Sequence, residues 1–217
     1  MQDRVISNET YDNDTKNKIL NSATELFALK GFAAVTMRDI AAKVGIKTGS
    51  IYYFYESKEA IIEDALSRFE KGYRDYFNWL TENNAKADSL EALMDNFFNK
   101  EFLEVRNPLA NLGMSLAIKE QHNNEAARKC VFELLYDFSI KCIQADIDRL
   151  IKKGAIPPSN SKIIATMFMF FVITCNDFMV HEYNGMKTPL DAAAIYDELK
   201  KMMSSMLSAP DGRNRSR

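Results

Sequence analysis

One short segment of this sequence combines a lysine, two hydroxyl-bearing residues, a glycine and a tyrosine: Lys47, Thr48, Gly49, Ser50 and Tyr53. Lysine and threonine can donate hydrogen bonds to base edges in a DNA groove, and a tyrosine hydroxyl can reach a phosphate. The glycine and serine are small, so a helix that carries them can enter a major groove deeply. These residue types indicate contact with double-stranded DNA.

Two short helices joined by a glycine turn are the elements that would present this run on one face. Thr36 opens a capping-box pattern, with an acidic residue three positions later. Gly45 allows the positive φ of a tight turn, and Ala41 is small enough for two crossing helices to approach closely. Ile46 and Ile51 then point back into the core. This is the layout of a helix-turn-helix.

An ordinary helical turn inside a bundle would also produce two short helices. Two observations favour DNA binding over that alternative. The second helix is too short to contribute much core, and the aromatic run 52–55 is too long for one apolar stripe to cover. Lys43 and Lys47 are the charged residues between positions 43 and 55. Because the whole chain has a formal charge of −2, any basic surface must come from this local arrangement.

Patterns for catalysis or metal binding are absent from the sequence. The two histidines, His122 and His181, lack the neighbouring ligands that a metal site needs. Asp177 stands four residues before His181, a spacing that also fits an ordinary hydrogen bond on one helix face. No GxSxG or GxGxxG occurs, and Gly45 to Ser50 lacks the lysine of a phosphate-binding loop. We therefore expect no enzyme activity, no metal and no cofactor.

The composition favours an all-α protein. Of 217 residues, 47% are hydrophobic and 27% charged, which is ordinary for a globular chain. Glycine and proline are scarce, and every proline lies at or beyond position 108. Three widely spaced cysteines and a polar N-terminus predict a cytoplasmic protein. The charge-free stretch 163–176 is shorter than the roughly 20 residues of a membrane span, so we interpret it as a buried or subunit-facing helix.

Helical periodicity divides the chain into predicted elements. We predict helices over 16–30, 36–45, 48–54, 58–83, 90–105, 109–121, 125–153, 162–183 and 191–207. Gly31 is the expected left-handed cap of the first helix.

The segment from Gly31 to Glu59 closely resembles the DNA-binding domain of TetR-family transcriptional regulators. The shared pattern is G-F-x-x-V-T-x-R-D-I-A-x-x-x-G-I-x-x-G-S-I-Y-x-F-Y-x-S-K-E. The resemblance implies an all-α chain with an N-terminal three-helix helix-turn-helix domain and a larger C-terminal helical domain for ligand binding and dimerisation. The corresponding ranges are a polar N-terminal segment, the two domains and a tail, at 1–14, 15–60, 61–207 and 208–217.

The resemblance also implies roles for single residues. Phosphate contacts are implied for Thr36 and Lys58, and Arg38 would reach the DNA backbone or a base edge. The recognition-helix positions are Lys47, Thr48, Gly49 and Ser50, followed by the aromatic contacts Tyr52 and Tyr53. The family often has serine where Lys47 stands. Lysine cannot accept a backbone hydrogen bond, so we expect no side-chain N-cap from Lys47. The alternatives are a cap from Thr48, one residue later, or completion of the helix start by DNA.

The second region carries many methionine and aromatic residues, which suit a cavity for an apolar ligand as well as a packed core. The resemblance implies an inducer cavity, for which the candidates are Phe98, Phe102, Met114, Phe132, Tyr136, Phe171, Cys175 and Met179. It also implies a dimer interface on the last two helices, with candidates Met167, Phe168, Met202, Met203, Met206 and Leu207.

Together these observations predict a ligand-responsive DNA-binding transcriptional regulator, a repressor that binds a pseudo-palindromic operator as a homodimer. A small, largely apolar effector would release it from double-stranded DNA. The alternative is a helical ligand-binding or scaffolding module without DNA affinity, supported by the missing cap at Lys47. An all-α enzyme ranks third because no catalytic cluster is present.

Overall fold

The computed structural model describes residues 2–97, 108–183, 185 and 192–207, and over these residues the regular elements are helices. The all-α fold class is thereby confirmed. The elements in chain order are α1 (Gln2–Lys30), α2 (Met37–Val44), α3 (Thr48–Ile51), α4 (Lys58–Asn84), α5 (Leu90–Phe97), α6 (Pro108–Glu120), α7 (Glu125–Lys129), a π-helical segment (Cys130–Phe138), α8 (Ser139–Lys152), α9 (Ser161–Tyr183) and α10 (Ala192–Leu207).

Local signals set the ends of the first two helices. Gly31 adopts a φ of +83° and its N–H donates to the Phe27 carbonyl at 2.9 Å, which closes α1. Thr36 and Asp39 bond each other reciprocally in a complete capping box at the start of α2. Gly45 ends α2 with a φ of +80°. The predicted cap, capping box and glycine turn are confirmed.

Two helix predictions were wrong in their bounds. Helix α1 begins at Gln2 rather than at residue 16, because residues 2–15 contain no glycine or proline to end it. Helix α3 ends at Ile51 rather than at 54, since the N–H of Phe54 turns back to the Ile51 carbonyl at 2.8 Å. The helix predicted over 90–105 is seen as α5 over Leu90–Phe97, and the rest of that range lies outside the described residues.

The predicted helix 125–153 contains a π-helical segment that periodicity did not indicate. The Ser139 hydroxyl donates to the Leu134 carbonyl, five residues earlier, at 2.8 Å. The Tyr73 hydroxyl lies 3.0 Å from the same serine oxygen. Because the serine proton is used on Leu134, the tyrosine is the donor in that second bond. The pair stabilises a wider helical turn, in which the chain gains one residue of register.

The chain divides into two compact units. The first comprises Met1–Gly72 and Asn107–Val131, and the second comprises Tyr73–Arg106 and Phe132–Arg217. Helices α6 and α7 are therefore grouped with the helix-turn-helix, whereas the domain range predicted from the sequence, 61–207, includes them.

The first unit is built around α1. Buried side chains from several helices meet there, among them Ile19, Leu20, Phe27, Ile40, Ile51, Ile61 and Ile62. Helix α6 packs along α1, and its Gly113 also lies directly against buried Phe69 of α4. A methyl group on Gly113 would lie 2.9 Å from three atoms of the Phe69 side chain. The absence of a side chain at this position allows α6 its close approach.

The second unit has an aromatic core. Phe97 lies edge-on to Phe168, with ring centroids 4.7 Å apart, and Phe77 contacts both Phe97 and Phe138. Phe168 is only 3% exposed. The ring of Phe168, a predicted dimer-interface residue, is therefore used in the core of the second unit. Arg149 closes the end of α4 by donating to the Asn84 carbonyl at 2.6 Å.

The contrast between two glycines gives a test of the α6 packing. We expect Gly113→Ala to lower the free energy of unfolding by about 1–3 kcal/mol, because the added methyl group overpacks against Phe69. Gly72→Ala is the matched control, since nothing lies within 4 Å of a methyl group there. It should raise the free energy of unfolding by about 0.5–1 kcal/mol through helix propensity. Urea denaturation of both variants measures the difference, and equal stabilities would contradict the packing argument.

Candidate nucleic-acid interface

The orientation of α3 is set by one buried side chain. Ile51 is completely buried, whereas Lys47, Gly49 and Ser50 are exposed and Thr48 is half-buried. Because α3 has only four residues, this anchor turns the remaining positions outward together. The predicted recognition residues are therefore exposed or half-exposed around this anchor, and we call their surface the α3 face.

Aromatic residues extend the α3 face beyond the helix. The side chains of Tyr52 and Tyr53 are 54% and 75% exposed. Tyr55, three residues after Tyr52, is instead buried, and its hydroxyl donates to the Asp64 carboxylate at 2.6 Å. Burial, together with that hydrogen bond, raises the pKa of Tyr55. The two exposed tyrosines are the kind of surface aromatics that proteins keep for binding partners, while Tyr55 serves the fold.

Helix α3 begins without a side-chain cap. Lys47 occupies the N-cap position in extended conformation, and its side chain makes no capping hydrogen bond. The Lys47 carbonyl accepts the N–H of Ser50 at 2.9 Å, a three-residue spacing that makes the first turn of α3 tight. The prediction of a missing cap at Lys47 is confirmed.

The positive charge of this region is smaller than the sequence suggested. The Lys43 ammonium lies 2.9 Å from the Glu25 carboxylate, which compensates its charge. Arg38 on α2 and Lys47 are both exposed and supply the remaining cations beside the α3 face. From the sequence, Lys43 was counted as a source of positive surface charge, but its pairing with Glu25 removes that contribution.

The two residues implied as phosphate contacts are already used inside the first unit. The Thr36 hydroxyl donates to the Asp39 carboxylate at 2.6 Å and accepts the Asp39 N–H at 3.2 Å. The Lys58 ammonium donates to the carbonyls of Phe32 and Val35, both at 2.8 Å. An ammonium has three N–H donors, so Lys58 keeps one for a phosphate. Its larger task is to fold the turn between α1 and α2.

The predicted ligand-binding residues lie in different environments. Met114 is buried in the first unit and Cys175 in the second, while Tyr136 and Phe171 are half-buried. Phe132 is 58% exposed, which corrects its assignment to an enclosed cavity. Phe98 and Phe102, together with the side chain of Met179, lie outside the described residues.

An exposed apolar stripe runs along α9. Ile163, Met167 and Phe170 follow one another at spacings of four and three residues, and each is more than half exposed. Tyr136 extends the surface, with its ring centroid 6.5 Å from that of Phe170. Of these three residues, only Met167 was predicted to lie at an interface, although the sequence shows Ile163 and Phe170 at helical spacing from it. We call these three residues the α9 stripe.

The remaining interface candidates lie on α10. Met202 is 53% exposed and Met203 is half-buried. The side chains of Met206 and Leu207 lie outside the described residues. Two of the six predicted interface residues, Met167 and Met202, are therefore exposed apolar side chains on the last two helices.

A metal site and a membrane-spanning helix are both absent from the described residues. No group of three or more histidine, cysteine or acidic side chains in these ranges is arranged to hold a metal ion. None of the helices in the same ranges has both the length and the apolar character needed to cross a membrane.

Residues 19–65 match the family model of bacterial regulatory proteins of the tetR family. The chain is 38% identical over 65 residues to the HTH-type transcriptional repressor KstR2 of Mycolicibacterium smegmatis, a match that covers 30% of this chain and 28% of KstR2. It is 27% identical over 148 residues to IcaR of Staphylococcus aureus, the negative transcriptional regulator of the biofilm operon icaADBC. That match covers 63% of this chain and 77% of IcaR. The chain thus spans less than a third of the first relative and about three quarters of the second.

Solved structures share the fold over most of the chain. A transcriptional regulator from Saccharomonospora viridis in complex with choline aligns with a TM-score of 0.68 at 19% identity, covering 91% of this chain and all of that one. A gamma-butyrolactone receptor described as ArpA-like aligns with a TM-score of 0.60 at 20% identity, covering 90% and 99% of the two chains. At these identities the likeness concerns the fold alone.

The capping box gives a pH-dependent test of α2. Hydrogen bonds from the Thr36 side chain and backbone hold the pKa of Asp39 below its ordinary value. Because the pKa is lower in the folded state, the ionised carboxylate stabilises the fold at pH values above about 4, the pKa of an aspartate in the unfolded chain. This contribution is lost as the pH falls through the lower folded-state pKa.

We expect Thr36→Ala to move the pKa of Asp39 upward, because the hydroxyl donor is removed. Carbon-13 NMR titration of the Asp39 carboxyl group measures the pKa. Thr166→Ala is the control, since that hydroxyl bonds only the Lys162 carbonyl in its own helix. An Asp39 pKa that is the same in both variants would show that the cap does not set it.

Proposed function

We propose that the chain is a ligand-responsive repressor of the TetR family that binds a pseudo-palindromic operator as a homodimer. The match of residues 19–65 to the tetR family model supports this proposal. KstR2 and IcaR are named a repressor and a negative regulator, which favours repression over activation. The α3 face reads the DNA in this proposal, and a small, largely apolar effector releases it.

Gly49 is the observation that carries the DNA-binding proposal. It is exposed, lies in α3 without a positive φ, and nothing lies within 4 Å of a methyl group built on it. The fold therefore has no steric need for glycine at this position, and alanine would form a better helix. What a missing side chain supplies is room for something outside the protein. A base edge approached by a helix in the major groove needs this room.

The neighbouring residues support the same orientation. Lys47 and Ser50 flank the glycine with donors for base edges or phosphates. Tyr52 and Tyr53 follow with exposed side chains, and in this proposal they contact the DNA backbone. Arg38 on α2 adds a second cation, and Thr36 and Lys58 fix the elements from which these side chains project.

A second copy of the chain is proposed to cover the α9 stripe. Three large apolar side chains on one helix face, with Met202 on α10, form a surface that a lone subunit would leave in water. A two-fold dimer would present two α3 helices to successive major grooves about 34–36 Å apart.

The effector is proposed to bind among the methionine and aromatic residues of the C-terminal region. Tyr136, Phe171 and Cys175 are the candidates that lie together in the second unit. The structural relatives named for choline and for gamma-butyrolactone favour a small organic molecule over a macromolecule. A coupling of only about 1–3 kcal/mol between effector and DNA would suffice to shift the protein off its operator.

Selection from a random-duplex DNA library at near-physiological salt tests the proposal directly. The purified protein should enrich an inverted repeat whose half-sites lie about one helical turn apart. A folded protein that enriches no sequence would instead favour a helical ligand-binding or scaffolding module without DNA affinity. A single half-site would support DNA binding and contradict the homodimer.

Gly49→Ala separates the DNA role from the fold. We expect this variant to unfold no earlier than the parent protein, while its affinity for the selected duplex falls by about 1–3 kcal/mol, as for a lost base-pair contact. Gly72→Ala is the matched control, because it is a second exposed helical glycine with open space around it. Fluorescence anisotropy measures both affinities. If Gly49→Ala bound the duplex as tightly as the control, the result would contradict the proposal that α3 enters the major groove.

Lys47→Ala should weaken DNA binding without a loss of stability, because its side chain is exposed and makes no capping bond. If the ammonium neutralises a phosphate, the slope of log K against log salt concentration should fall in magnitude by about 0.9 per subunit. Lys43→Ala is the control, because its ammonium is paired with Glu25. Titrations at several salt concentrations compare the two variants, and matching slopes would contradict a phosphate contact by Lys47.

A further inference from the structure

The backbone of Phe32, in the turn between α1 and α2, is hydrogen-bonded through both its N–H and its carbonyl. Its N–H donates to the Glu120 carboxylate at 2.9 Å. Its carbonyl accepts the Lys58 ammonium at 2.8 Å, and the same ammonium lies 4.2 Å from the centre of the Phe32 ring. The other neighbour of the ring is Phe27, edge-on at 5.2 Å. This single residue therefore joins the ends of α1, α4 and α6 in the first unit.

Glu120 reaches this turn from far along the chain. It is the last residue of α6, lies 88 positions after Phe32, and is only 9% exposed. Lys119 donates to the Ala28 carbonyl in the last turn of α1 at 2.7 Å. The end of α6 thus contacts the chain on both sides of the left-handed Gly31. Neither contact could be inferred from sequence periodicity.

Burying the Glu120 carboxylate costs more free energy than burying an apolar side chain of the same volume. Removing a charge from water costs several kcal/mol, and an apolar side chain of similar volume usually stabilises a core better. What the carboxylate adds is a directed acceptor for one peptide N–H. Four residues later, Thr36 begins α2, and Gly45 then connects α2 to α3. The position of the Phe32 peptide therefore sets where the helix-turn-helix begins.

We propose that Glu120 is a positioning residue for DNA binding: its carboxylate holds the Phe32 peptide so that α2 and α3 start from the DNA-competent position. This inference rests on the proposed function, and it assigns part of the DNA-binding machinery to α6. The α3 face then depends on a helix outside the residues 19–65 that match the family model.

Three substitutions in the full-length protein separate geometry from charge. Glu120→Gln retains an oxygen acceptor of the same reach, so binding to the selected duplex should stay within about twofold of the parent. Glu120→Leu removes the acceptor and should weaken binding about tenfold, the effect of one unsatisfied buried donor. Glu120→Asp keeps the charge but shortens the side chain by one methylene, and should weaken binding as Leu does. If the Leu variant does not fold, the Asp and Gln pair carries the test.

A control variant tests whether a general loss of stability, rather than a lost positioning contact, explains weaker DNA binding by the Glu120 variants. Ile61→Val shortens a fully buried side chain in the same unit and lowers stability without touching the Phe32 peptide. At temperatures where all variants are folded, Ile61→Val should bind DNA like the parent. Weakening by Ile61→Val to the extent seen with Glu120→Leu, or full affinity in the Leu and Asp variants, would overturn the positioning role.

Amide NMR distinguishes failure of this inference from failure of the proposed function. In the parent protein the Phe32 amide should exchange slowly with solvent, and Glu120→Leu should accelerate the exchange at least about tenfold and shift the amide signals of α2 and α3. Glu120→Gln should restore both. These signals are read without DNA, so they test the positioning even if no operator is selected. Unchanged α2 and α3 signals in the Leu variant would refute the inference while leaving DNA binding intact.

Discussion

A helix of four residues cannot hold its own conformation, because nucleation costs more than one or two hydrogen bonds return. Helix α3 is such a helix, and it starts without a side-chain cap. It exists because Ile51 is completely buried and because Gly45 delivers the chain from a well-capped α2. Much of the first unit follows from this constraint. The capping box, the Lys58 hydrogen bonds and the end of α6 each restrict the backbone of the turn that precedes α2. This turn and α2 position α3, whose exposed residues contribute little to the core.

Local chemistry was enough to predict the elements but not their long-range partners. Thr36, Gly31 and Gly45 act within a few residues, so their roles could be predicted from spacing alone. The contacts of Lys58 with Phe32, and of Glu120 with the same residue, join positions 26 and 88 residues apart. Nothing in the sequence near Phe32 indicates either contact. The same applies to Lys43, whose charge is compensated by a glutamate on another helix.

The second unit shows a different limit of sequence reasoning. Phe168 and Phe170 are two residues apart on one helix, yet the first is 3% and the second 57% exposed. Composition treats them alike, and only the rotation of α9 about its axis separates core from surface. The π-helical segment adds a shift of register that hydrophobic periodicity does not encode. Assignments of single aromatic residues to core, cavity or interface therefore required coordinates, whereas the all-α class did not.

The isolation of Ile51 as the anchor of α3 has a consequence for how such a protein can change over generations. The side chains at positions 47, 49 and 50 are exposed and carry little of the folding free energy. If the α3 face binds DNA as proposed, substitutions there alter the preferred DNA sequence while the scaffold beneath them stays the same. A gene duplicate would then acquire new target promoters through a few surface changes, with the buried core of the first unit inherited intact.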